Sequence, residues 1–179
     1  ALTMARAYAE RVDERNGERK VVVALNPNAV MAGQVADREA YLYYLIAEAR
    51  RLGYYVMLDV QTGNREPLTI FQSLMDKFLF ENVWFDWDIE HTSGGNVDAG
   101  EINQAAQLFF DRRRSKGYSS PGIFGFYVFK TDQVLNFEKL RREFDGGFVV
   151  PIFDGFGGQG TDPGQAKIVK TSRVLSLFG

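Results

Sequence analysis

At 179 residues the chain is long enough for one domain with a sizeable core and short for two. A net charge of −2 offers no basic face for nucleic acid, and no apolar run approaches the roughly 20 residues that span a bilayer. With no cysteine anywhere, disulfides, thiol catalysis and cysteine metal sites are excluded, while the redox environment stays open.

The chain opens on a helical pattern over residues 2–16, with no strand in front of it. The β-branched run KVVVALN (20–26) predicts a buried strand ending at Asn26. DREAYLYYLIAEARRLG (37–53) predicts a helix capped by Asp37 and stopped by Gly53. YYVMLDV (54–60) predicts a second strand, with Asp59 and then Gln61 at its end, and NVWFDWDI (82–89) a third. DAGEINQAAQLFFDRRRSKG (98–117) predicts a helix: Asp98 and Glu101 form a capping box, and Ile102, Ala106 and Phe109 share one stripe. Its closing RRRSKG reads as a solvated last turn favoured by the helix dipole. GIFGFYVF (122–129) and GFVVPIF (147–153) predict two further strands, carrying Tyr127 and leading to Asp154. The last helical pattern, DPGQAKIVKTSRVLSLF (162–178), starts with Asp162 as cap and Pro163 at its first position.

Strands alternating with helices specify an α/β fold with a parallel sheet covered by helices, here as one domain over 1–179. The expected form is a parallel (β/α) barrel of TIM type, incomplete or N-terminally truncated, with about five strands and six helices. A full barrel typically needs about 250 residues and eight strands. The alternative is an open doubly wound parallel sheet.

Asn26, Asp59, Gln61, Asp86, Asp88, Glu90, Tyr127 and Asp154 all fall where these strands end, and parallel α/β folds place active sites there. The densest group is NVWFDWDIEHT (82–92). On a strand, Asp86, Asp88 and Glu90 share one face, and Phe85, Trp87 and Ile89 the other. Carboxylates spaced about 6.5 Å apart repel, so at least one is expected to keep its proton near neutrality. A proton-holding acid beside ionised neighbours is what glycoside cleavage requires. Glu90, the longest and nearest the strand end, is the expected acid. Asp88 is its partner, and Asp86 tunes Asp88 from deeper in. The competing reading is an exposed edge strand whose polar face simply meets water, or a carboxylate trio neutralised by nearby arginine or lysine.

Asp86-x-Asp88-x-Glu90 resembles the D-x-x-D-x-D-x-E signature of family-18 chitinases, although Val83 stands where the first Asp would fall. The resemblance implies Glu90 as proton donor and Asp88 as the residue that holds the substrate's N-acetyl group. A second resemblance rests on LDVQTG (58–63), DWDIEH (86–91), VDAGEIN (97–103) and DGFGG (154–158), in that order. Together they are similar to a group of TIM-barrel, glycoside-hydrolase-like bacterial proteins, largely uncharacterised and often secreted. That group implies the acid pair Asp88 and Glu90, and an extracellular or cell-envelope location.

GFGGQG (155–160) fits a glycine-rich dinucleotide loop, but the second strand such a site needs has no room before Gly179. A phosphate at this loop stays open. Asp59, Asp86, Asp88, Glu90 and Asp154 together suit Mg²⁺ or Ca²⁺, but no metal or other cofactor is expected. His91, the sole histidine, reads as a neighbour of Glu90 rather than a catalyst.

The leading expectation is a glycoside-hydrolase-like protein that cleaves or binds a polysaccharide or cell-wall glycan. Glu90 and Asp88 are the catalytic pair, and Asp59, Gln61, Asp86, Tyr127, Asp154 and Asn26 the binding residues. One alternative is a non-catalytic carbohydrate-binding or structural envelope protein, and another a divalent-metal phosphoesterase. An incomplete barrel also implies a second copy or a partner chain over its open edge. No nucleic acid and no membrane span are expected.

Overall fold

A computed structural model describes residues 39–89, 95–128 and 133–153, the short strands 24–25 and 30–31, and the helical positions Arg6, Ala7, Glu10, Arg11 and Glu14. It is a mixed α/β structure built on a mostly parallel sheet. In chain order come β1 (Ala24–Leu25), β2 (Val30–Met31), α1 (Glu39–Arg51), β3 (Tyr55–Gln61), α2 (Pro67–Phe78), β4 (Val83–Asp88), β5 (Val97–Asp98), α3 (Ala99–Ser115), β6 (Gly122–Val128), β7 (Val134–Leu135), a 3₁₀ turn (Phe137–Lys139), β8 (Glu143–Phe144) and β9 (Gly147–Phe153). The main sheet runs β1, β3, β4, β6, β9, β8, with β2 also on β3. Among the described strands, only β8 is antiparallel. From β3 to β9 the strand order follows the chain order, without reversal.

Each helix forms for a local reason and then buries one face. The start of α2 is capped by Glu66, whose carboxylate accepts from the backbone N–H groups of Leu68 and Thr69, with Pro67 at the first helical position. The Asp98–Glu101 capping box of α3 is present as expected. Phe71 of α2 meets Phe85, Trp87 and Phe124 edge-on or tilted, and Phe109 of α3 meets Phe85 and Phe124. Tyr43 of α1 packs on Phe78 of α2. One layer of helices therefore covers the sheet face that carries Phe85, Trp87 and Phe124, and nearly all the enclosed aromatic volume lies there.

Two expectations change. The connection from β6 to β9 carries no α-helix among its described residues. It is built from β7, the 3₁₀ turn and β8, and Asn136 takes a left-handed backbone (φ 51°) before the turn. The RRRSKG turn is not uniformly solvated either: Arg113 is 3% exposed. Its guanidinium donates to the carbonyls of Glu81 (3.0 Å) and Ser120 (2.7 Å) and to Ser120 Oγ (3.1 Å). It also lies over the rings of Phe109 and Tyr118. A helix C-terminus that packs on a strand's entry turn has carbonyls to satisfy, and arginine supplies the most donors.

The predicted helix over 2–16 is described at Arg6, Ala7, Glu10, Arg11 and Glu14, all of them helical, while the predicted helix over 162–178 and most of the predicted strand at 20–26 lie outside the described residues. Among the described residues, no helix is long and apolar enough to cross a membrane.

Candidate functional site

The site starts from alternation on two neighbouring strands. Along β3, Val56, Leu58 and Val60 are buried against the helices, which leaves Tyr55, Met57, Asp59 and Gln61 on the other face. Along β4, Phe85 and Trp87 take the helix side, so Trp84, Asp86 and Asp88 share the face of Asp59. Parallel pairing then fixes the rows. Asp59 pairs with Asp86, which pairs with Gly125 and, through it, with Val150. One step toward the strand ends, Gln61 pairs with Asp88, and Tyr127 pairs with Ile152 on the same face.

All six residues of β4 are buried, so its acids do not face bulk water. Asp86 has no solvent exposure and Asp88 is 6% exposed. Gln61 Nε2 donates to Asp88 Oδ2 at 2.8 Å, and the next residue, Thr62, accepts from the Trp87 indole at 3.3 Å. LDVQTG and DWDIEH are thus bonded to one another on both faces of the sheet.

Neither oxygen of Asp86 has a hydrogen-bond partner, although the Tyr127 side chain lies near enough to favour the charged form. Burial pushes the Asp86 carboxyl up to about 8, and the charge of Asp59 adds to the shift, with Asp88 a smaller contributor. At least one acid that keeps its proton was expected on this strand, with repulsion along the strand as the cause; Glu90, the acid singled out, lies outside the described residues. The structure gives a different ranking for Asp86. Enclosure comes first, and Asp59 across the ladder outweighs Asp88 because neighbouring strands lie about 4.8 Å apart while alternate residues lie about 6.5 Å apart.

Sequence reasoning missed Gly125. A Cβ there would fall 2.8 Å from Asp86 Cβ and 2.7 Å from Ile152 Cδ1, so a bare backbone is what lets Asp86 sit between β3 and β6. The signal was present, since a glycine interrupting GIFGFYVF marks a close approach. Trp84, on the acid face, stacks on Tyr55 with centroids 4.1 Å apart, and its indole nitrogen is buried without a partner.

Other motifs resolve into structure. In VDAGEIN, Asp98 caps α3 and accepts from Asn136, while Asn103 donates to the Lys139 carbonyl and accepts from the Arg141 backbone. That motif pins the loop between β7 and β8 to the start of α3. A cavity of about 160 Å³ opens at this end of the molecule between Thr62, Arg65, Trp87, Asn96 and Glu101, on the helix side of the strands.

The structure therefore brings Asp59, Gln61, Asp86, Asp88 and Tyr127 onto one face at the C-terminal half of three adjacent strands. Glu90, His91, Asn26 and Asp154, and the GFGGQG loop, lie outside the described residues. Among the described residues, no group of three or more His, Asp or Glu side chains is placed to hold a metal ion. The chain matches no protein-family model, no curated protein and no solved structure.

Proposed function

We propose that the chain is a barrel-type, glycoside-hydrolase-like protein that binds or cleaves a polysaccharide or cell-wall glycan through its strand-end carboxylates. Two features of the described residues support the barrel: strand order from β3 to β9 that follows chain order, and a helix layer on one sheet face, where a doubly wound sheet would reverse its order and cover both. The observation that carries the functional reading is the placement of Asp86. It is a fully enclosed carboxyl that holds its proton, in register with Asp59 and two residues before Asp88. Glycoside cleavage needs one protonated and one ionised carboxyl within a single site.

In this reading Glu90 protonates the leaving oxygen, Asp88 is its partner, held in orientation by Gln61, and Asp86 sets the charge that Asp88 feels. The location proposed from resemblance is extracellular or in the cell envelope, with a second copy or a partner over the open sheet edge.

Reducing-end release from a panel of cell-wall polysaccharides tests the reading, with the full chain, Glu90→Gln and Asp88→Asn compared. The parent chain should release sugar. Each variant should lose at least about 100-fold in rate, the scale of acid–base catalysis, while still binding the polysaccharide. Binding without release by the parent would favour a non-catalytic carbohydrate-binding protein. Absence of both binding and release would overturn the glycan reading.

A further inference from the structure

The cavity of about 160 Å³ at the C-terminal end of β3 and β4 takes its lining from two motifs that the carboxylate site leaves partly unused. Thr62 comes from LDVQTG, directly after Gln61, and Glu101 from VDAGEIN. Because Gln61 bonds to Asp88 and Thr62 to Trp87, the same two strand ends carry the acids on one side and the cavity on the other. The lining is graded by burial. Thr62 and Trp87 are each 1% exposed, while Asn64, Arg65, Asn96 and Glu101 form an exposed rim. An enclosed aromatic base under a polar rim is the usual make-up of a small-molecule site.

Charge narrows the ligand. Helices α2 and α3 both begin beside the cavity, but N–H groups of their first turns are already taken by the carboxylates of Glu66 and Asp98, which also offset the positive ends of the helix dipoles. In the rim itself, Arg65 and Glu101 supply one charge of each sign. The lining therefore favours no ion, and it suits an uncharged ligand that both gives and takes hydrogen bonds, as the Asn64 and Asn96 carboxamides do. A volume on the order of 150 Å³ holds one six-membered ring. We infer that the cavity seats a single uncharged pyranose ring of the glycan and is a specificity subsite beside the carboxylates. The inference rests on the glycan reading above and names the sugar class it selects. The ring's carbon-bound hydrogens meet the Trp87 indole, and its hydroxyls meet the two carboxamides. A charged sugar loses hydration here without a net opposite charge to replace it.

Titration of the full chain with methyl glycosides of glucose, galactose and mannose tests this, followed by nitrogen–proton NMR of the indole N–H signals. The chain has two tryptophans, and Trp87→Phe identifies the signal of Trp87. At least one uncharged glycoside should shift that signal saturably, and glucuronic acid and glucosamine should bind at least about tenfold more weakly. Asn64→Ala combined with Asn96→Ala, both exposed and outside helices and strands, should weaken the uncharged sugar at least about tenfold and leave the melting temperature unchanged. Equal or tighter binding of a charged sugar overturns the selection for neutral rings. A shift that the double variant leaves at full affinity overturns the assignment to this rim. No shift with any sugar, while the chain still binds or cleaves polysaccharide, overturns the subsite and leaves the glycan reading standing. No shift and no polysaccharide binding overturns both.

Discussion

Arg113 and Asp86 are both taken out of water, on opposite sides of the same sheet, and they are treated in opposite ways. Arg113 is met by the carbonyls of Glu81 and Ser120, the Ser120 hydroxyl and two aromatic rings. Neither oxygen of Asp86 has a hydrogen-bond partner, with the Tyr127 side chain the polar group nearby, and a second carboxyl stands in register. Burial acts against the charged form of each, lowering the arginine's pKa and raising the aspartate's. Even the space is made in the same way. A Cβ on Gly122 would lie 2.7 Å from Arg113 Nε, and one on Gly125 would lie 2.8 Å from Asp86 Cβ. One strand, β6, thus clears room for a buried cation on one face and a buried acid on the other. A satisfied buried charge contributes to stability. A buried carboxyl without partners keeps its proton, is held in place by the rest of the fold and is where chemistry is to be sought.

That contrast can be broken. The largest effect is expected at Asp86, and its sign follows from linkage. The folded state keeps a proton that the unfolded chain releases near pH 4. The resulting stabilisation is whole below that pH and is lost as pH climbs to about 8. Asp86→Asn cannot ionise, so its stability relative to the parent should rise by on the order of 4 kcal/mol between pH 5 and pH 9. Denaturant unfolding at the two pH values measures this, and a pH-independent difference would remove the proton from Asp86.

Arg113→Ala should cost about 3 kcal/mol at every pH from 5 to 9, because it strands buried carbonyls and opens a cavity while leaving the acids alone. Sharper still is the glycine pair. Gly122→Ala and Gly125→Ala should each cost about 2 kcal/mol through overpacking, yet only Gly125→Ala should shift the Asp86 carboxyl titration followed by carbon NMR. The smallest effect belongs to Gln61→Leu. It should lower stability by about 1 kcal/mol through the lost bond to Asp88 and leave the Asp86 titration close to the parent's. A large movement of that titration would show that the two rows of the site are not separable.

Much of this was legible beforehand, and unevenly. The alternation in VWFDWD gave the two faces of β4 correctly, because side-chain direction along a strand has a strict period of two. The capping box at Asp98 and Glu101 was readable because both partners lie within one helical turn. Helix α2 illustrates a weaker signal. Its Glu66–Pro67 start is a proper cap, yet glutamate is an uncommon capping residue and the segment between Gly63 and Asn82 has no glycine to punctuate it. Arg113 was misread as solvated because three successive arginines point in three directions around a helix, and only the packed neighbour decides which one is inside. VDAGEIN looked like a site motif and serves as a clamp between α3 and a loop, since its polar partners at Asn136, Lys139 and Arg141 lie far along the chain.

The sequence by itself determined the α/β alternation, the acid face of β4 and the exclusion of cysteine chemistry, because each depends on residue type and on spacings of two to four. Only the tertiary structure decided that Asp86 keeps its proton. That choice turns on enclosure and on the pairing of Asp59 with Asp86, and register between strands separated by a helix is set by packing rather than by local spacing.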